Sequence, residues 1–90
     1  MNINVYYKPA FVRSLNKSPK GLQEEIIEKI DLFKDTENHG ILKVHKLKGS
    51  LKKFYSFLVD YKNRVVFEYL SDDEVGLLAI GDHEVYKLFL

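Results

Sequence analysis

The sequence predicts an α+β domain, two N-terminal helices packed on a mainly antiparallel sheet in the order β-α-α-β-β-β. Two observations carry that expectation. Before His39, apolar residues recur at spacings of three and four; after it come shorter aromatic and β-branched runs separated by turn residues. The helices must bury an apolar face, and one face of the sheet is the only large apolar surface on offer. With 90 residues and no linker, repeat or low-complexity tract, residues 1–90 read as one domain. A chain of this length buries roughly 60–70% of its unfolded surface, enough for a core with little to spare.

Ile3 to Tyr7 is short, β-branched and aromatic, and reads as a strand. Pro9 opens a first helix, where its missing N–H costs nothing, and Phe11, Val12 and Leu15 form its apolar face. Ser18-Pro19 is a second start signal, a capping hydroxyl followed by Pro at the first helical position. Leu22, Ile26, Ile27, Ile30 and Phe33 then mark the buried face of a longer helix, and His39-Gly40 ends the helical region. Three strands follow. They run over Phe54 to Tyr61, Arg64 to Leu70 and Val75 to Ile80, with turns at Asp60–Asn63 and Ser71–Glu74. An additional short strand fits near Leu42–Leu47, and Val85 to Leu90 reads as a short apolar turn or helix.

The net charge of +1 conceals a divided chain. Residues 1–42 carry six basic and six acidic groups, residues 43–64 seven and one, and residues 65–90 one and six. Polyanions respond to a local patch and not to the total, so the middle segment is a candidate nucleic-acid surface unless the acidic tail folds over it. No cysteine is present, which removes disulfides and thiolate metal sites. Met1 to Tyr7 lacks the basic region and apolar run of a signal peptide, and no stretch approaches the ~20 apolar residues of a membrane span. A cytoplasmic protein without membrane contact is expected.

His39, His45 and His83 have no zinc-binding spacing, so no metal is expected. No phosphate-cradling Gly-rich loop or nucleophile elbow occurs either, and no cofactor is implied. The chemistry best matched by what remains is metal-independent RNA cleavage. The ribose 2′-hydroxyl supplies the nucleophile. The protein then needs permanent positive charge for the phosphodiester and a group that moves protons. Arg64, beside a turn, is a candidate for the first task; otherwise it pairs with Glu68 or Asp60. His83, just beyond Gly81, is a candidate for proton transfer or else a solvent-exposed loop residue. Tyr86 either stacks a base, donates a proton, or packs against Leu88 or Phe89. His45 is a further candidate base or a surface histidine, and Lys46, Lys48, Lys52 and Lys53 are suited to gripping backbone phosphates.

Four segments together carry a resemblance. They are His45-Lys46-Leu47-Lys48-Gly49, Phe54-Tyr55-Ser56-Phe57, Arg64-Val65-Val66-Phe67-Glu68 and Leu78-Ala79-Ile80-Gly81-Asp82-His83-Glu84-Val85-Tyr86. The chain resembles the RelE/ParE superfamily of bacterial toxins from end to end, and within it the RelE/StbE-type mRNA interferases. The resemblance implies a RelE-like fold and a toxin of a type II toxin–antitoxin pair. Such a toxin cleaves mRNA, typically on the ribosome, and is held by a RelB-like antitoxin through an amphipathic segment. It places Arg64 at the family's phosphate-stabilising arginine, His83 at a catalytic Arg or His, Tyr86 at a C-terminal aromatic, and His45 at a histidine of the YafQ-like branch. A ParE-like gyrase inhibitor and a catalytically degenerate antitoxin-binding member are the alternatives on the same fold. The chain departs from the pattern at Ser56 and Leu58, where relatives carry Lys or Arg, and in the short interval from His83 to Tyr86.

Overall fold

A computed structural model of the protein describes residues 1–51 and 53–89. The sheet has five strands: β1 (Asn4–Tyr7), β2 (His45–Lys46), β3 (Tyr55–Leu58), β4 (Arg64–Ser71) and β5 (Glu74–Gly81). Their spatial order is β1-β5-β4-β3-β2. The last four form an antiparallel meander, while β1 lies parallel to β5, so the sheet is mixed. Helices α1 (Pro9–Lys17) and α2 (Lys20–Phe33) follow β1 and cover one face. The α+β class and both helices are as expected, and the additional short strand is β2.

Three local expectations change. Ser18 does not cap α2. The residue before a proline is driven out of helical conformation, and Ser18 accordingly turns back to close α1, its hydroxyl donating to the Ser14 carbonyl at 2.9 Å. Pro19 becomes the residue flanking α2, which starts at Lys20. The buried stripes are narrower than the sequence pattern: Phe11, Ile26, Ile30 and Phe33 are fully buried, whereas Val12 and Ile27 are 37% and 40% exposed. Finally, α2 stops at Phe33. A short 3₁₀ helix (Thr36–Asn38) follows it, capped by the Asp35 carboxylate accepting from the Glu37 N–H at 3.0 Å. His39 belongs to the core lining, its ring stacked on Phe33 at 4.6 Å with Nε2–H donating to the Phe33 carbonyl.

Alternation along the strands sends two different sets of side chains to the two faces. Toward the helices point Phe57, Val65, Phe67, Val75 and Leu77, which meet Phe11, Ile26, Ile30 and Phe33. Phe33 stacks on Phe57 at 4.7 Å and meets Phe67 edge-on at 4.8 Å. Fully burying each such side chain contributes about 1.5–3 kcal/mol. The outer face holds a smaller cluster of Leu47, Leu51, Phe54, Val66, Ala79 and Val85. It lies beneath a C-terminal 3₁₀ helix (His83–Phe89), the expected terminal turn, although Leu90 lies outside the described residues. Among the described residues no helix is long and apolar enough to cross a membrane.

Two features fix that end of the sheet. Asp60 pins the β3–β4 turn by accepting from the backbone N–H groups of Asn63 at 2.6 Å and Lys62 at 2.8 Å. The Asn63 N–H, with help from Lys62 and the Asn63 amide, holds the Asp60 carboxyl below its ordinary value. Gly81 ends β5 where an added Cβ would lie 3.0 Å from the Val85 Cβ, so close that Val85 would have to give by a few tenths of an ångström. The bare Gly81 therefore lets the terminal helix close onto the sheet.

Candidate functional site

Residues directly opposed across strands share a face. The register opposes His45 to Ser56, Ser56 to Val66 and Val66 to Ala79, a row across β2, β3, β4 and β5. The next row opposes Leu58, Arg64 and Gly81. Val66 and Ala79 belong to the outer cluster, so His45, Ser56 and Arg64 all lie on the outer face, beside the terminal helix.

That helix completes the arrangement. Three residues per 3₁₀ turn put His83 and Tyr86 one above the other, and their rings meet edge-on at 5.3 Å. The short interval between them is thus what brings them into contact. The Tyr86 hydroxyl lies 3.0 Å from the Ser56 hydroxyl, and Ser56 Oγ lies 3.5 Å from His45 Nε2. On its other side the His45 ring donates Nδ1–H to the Lys43 carbonyl at 2.9 Å. Lys43 has a φ of 55°, the left-handed region that non-glycine residues seldom enter. His45 and His83 are exposed, Tyr86 and Arg64 half-buried, and Ser56 fully buried.

Arg64 forms no ion pair with Glu68, Asp60 or any other carboxylate among the described residues. Nor, among those residues, does any ion pair join the basic segment 43–64 to the acidic tail. Asp72, Asp73 and Glu74 sit at the far end of the eight-residue β4, roughly 23 Å from Arg64 at ordinary strand rise. Glu84 pairs locally with Lys87 at 2.6 Å.

The lysines divide. Lys53 lies with its Nζ 5.1 Å over the Phe54 ring, and Phe54 tilts against Phe89 of the terminal helix at 4.7 Å. It therefore borders the His83–Tyr86 side. Lys48 is exposed in the bend after β2, ahead of Gly49, whose φ of 67° makes that bend. Lys46 opposes Tyr55, whose ring packs with Phe67 and Tyr69 on the helix side, so alternation aims Lys46 away from His45. Lys52 lies outside the described residues. A separate depression of about 530 Å³ lies between Tyr55, Tyr69, Leu70, Ser71 and Asp72, toward the acidic end.

Ser56 is the site residue that sequence reasoning passed over, marking it only as a missing cation. The available signal was one polar residue inside Tyr55-Ser56-Phe57-Leu58, where a buried hydroxyl requires a partner.

The outer face carries two imidazoles, a phenol and a guanidinium beside the terminal helix. Chemically it can bind a phosphodiester, stabilise added negative charge and move protons.

No family model matches the chain, and no curated protein matches it. Solved structures do. The toxin–antitoxin complex RelBE2 of Mycobacterium tuberculosis superposes with a TM-score of 0.73 at 18% identity, covering 92% of this chain and 100% of that one. YafQ of E. coli gives 0.74 at 15% identity, covering 93% and 97%. The archaeal RelE–RelB complex of Pyrococcus horikoshii gives 0.69 at 20% identity, covering 91% and 96%. The structural neighbours of this protein are thus RelE-, YoeB- and YafQ-type toxins along nearly its whole length, and its α+β fold is the RelE-like toxin fold.

Proposed function

We propose that the protein is the toxin of a type II toxin–antitoxin pair, a metal-independent endoribonuclease that cuts mRNA in the cytoplasm, on the ribosome. The observation that carries this reading is the outer-face constellation of His45, Ser56, Tyr86 and His83, with Arg64, which forms no ion pair among the described residues, on the same face of a RelE-like fold. Arg64 stabilises the charge that builds on the phosphorane, where a preorganised cation is most effective. Tyr86 and His45 accept the 2′-hydroxyl proton, and His83 supplies one to the departing 5′ oxygen. Tyr86 also stacks a base in this reading. Lys48 and Lys53 hold the flanking backbone, and Lys46 and Lys52 extend the cationic segment. A co-encoded, RelB-like antitoxin covers this face until it is removed.

Programmed ribosomes incubated with the protein test the proposal. The wild type releases mRNA fragments ending in 2′,3′-cyclic phosphate, and Arg64→Ala and His83→Ala each lose roughly 10²-fold or more in rate while still binding antitoxin. Growth arrest with intact mRNA and stalled replication would instead indicate a gyrase inhibitor.

A further inference from the structure

We propose that Ser56 is a positioning residue that joins the Tyr86 phenol and the His45 imidazole into one directed proton-transfer unit; this rests on reading the outer face as a nuclease site. Ser56 is fully buried, at 0% exposure, yet its hydroxyl stands between two polar side chains that both reach solvent. A serine hydroxyl has one proton to give and lone pairs to receive. The direction of the chain follows from its far end. His45 spends its Nδ1–H on the Lys43 carbonyl, so in the neutral ring Nε2 is the acceptor. Ser56 O–H therefore donates to Nε2, across 3.5 Å, and Ser56 Oγ accepts from Tyr86 O–H, across 3.0 Å. The longer leg ends on β2, a two-residue edge strand, where catalytic contacts commonly tighten only around substrate.

The transfer balances. The Tyr86 O–H bond breaks as its proton passes to Ser56 Oγ, while the Ser56 proton passes to His45 Nε2. A phenolate and an imidazolium result, with no change in net charge. The phenolate takes the ribose 2′ proton, and the exposed His45 ring returns its extra proton to water. His83 remains available for the departing oxygen. A serine at position 56 thus supplies a connection that a Lys or Arg cannot, because neither has an acceptor.

The test combines Ser56→Ala, Ser56→Thr and Tyr86→Phe with the Tyr86 Cζ resonance of the full chain. Ser56→Ala is expected to slow mRNA cleavage roughly 10–100-fold with unaltered circular dichroism. Ser56→Thr restores most of the rate, and Ser56→Ala adds no further loss in a Tyr86→Phe background. Cleavage by Ser56→Ala at the wild-type rate, or an equal loss in both backgrounds, overturns the proposal. If the wild type cuts no RNA, the nuclease reading fails and the resonance still decides the coupling. His45→Ala should move the Tyr86 Cζ signal when Ser56 is present and leave it in place in Ser56→Ala. A Tyr86 signal indifferent to Ser56 overturns the coupling on its own.

Discussion

The two faces of the sheet differ by a single step along each strand. On β3, Phe57 points into the helix-covered face and is fully buried against Phe33, while its neighbour Ser56 points outward to His45 and Tyr86. On β4, Val65 and Phe67 face the helices, while Arg64 and Val66 face out. One face is closed by two helices with 9 and 14 residues, the other by a seven-residue 3₁₀ helix and the β2–β3 connection around a small apolar cluster. The helix side concentrates apolar burial, so stability resides there. The outer side uses its few apolar contacts to seat one helix that carries His83 and Tyr86, and leaves His45 and His83 exposed and Arg64 and Tyr86 half-buried. Substitutions one residue apart should therefore fall into separate classes.

The largest effects should be a contrasting pair. Phe57→Ala removes a buried ring from the helix side and should cost about 3–5 kcal/mol in urea unfolding. Arg64→Ala should leave the unfolding midpoint nearly unchanged and lower mRNA cleavage roughly 10²–10³-fold, as removal of one transition-state donor does. If each variant instead lost both stability and activity in proportion, the division between faces would not hold.

Gly81→Ala tests the joint between them. The new Cβ would lie 3.0 Å from the Val85 Cβ, and Val85, with the terminal helix it anchors, is expected to shift by a few tenths of an ångström. The expectation is a loss of about 1–3 kcal/mol, typical of overpacking, with a drop in cleavage from the displaced His83 and Tyr86. A variant with full activity would show that the helix tolerates repositioning.

The lysines offer a smaller and sharper contrast. Lys53→Ala, at the edge of the terminal helix, should flatten the log–log salt dependence of single-stranded RNA binding by roughly 0.7. Lys46→Ala, on the opposite side of β2, should flatten it by much less. Equal slopes would mean that RNA wraps the β2 edge and contacts both sides.

The smallest effect concerns acid. Asp60 has a folded-state pKa depressed by the N–H groups it accepts from. Its contribution is present above the ordinary carboxylate range and is lost as pH falls through the depressed value. Asp60 is half-buried and its hydrogen bonds stay within the turn, so the change should appear as loss of Asn63 amide protection in the β3–β4 turn and not as global unfolding. Asp60→Asn should remove that pH dependence.

Much of this was legible in the chain. Spacings of three and four located both helices, and turn residues located the meander, because both are local consequences of backbone geometry. The parallel placement of β1 beside β5 was not legible, since it depends on where two helices deliver the chain. The same holds for the end of α2. Phe33 completes the buried stripe, and nothing local distinguishes the following polar residues from another helical turn. At the site, His45, Arg64, His83 and Tyr86 could be nominated by residue chemistry. The division between Lys46 and His45 required the register, and Ser56 became meaningful only once Tyr86 was seen above it.

The proposed division of labour puts the chemistry on the outer face and not on the helix face. Its most direct measurement is the rate at which Arg64→Ala, confirmed folded by its unfolding midpoint, produces 2′,3′-cyclic phosphate ends on ribosome-bound mRNA. A fall of roughly 10²-fold or more at unchanged stability is expected. A folded Arg64→Ala that cuts as fast as the wild type would contradict it.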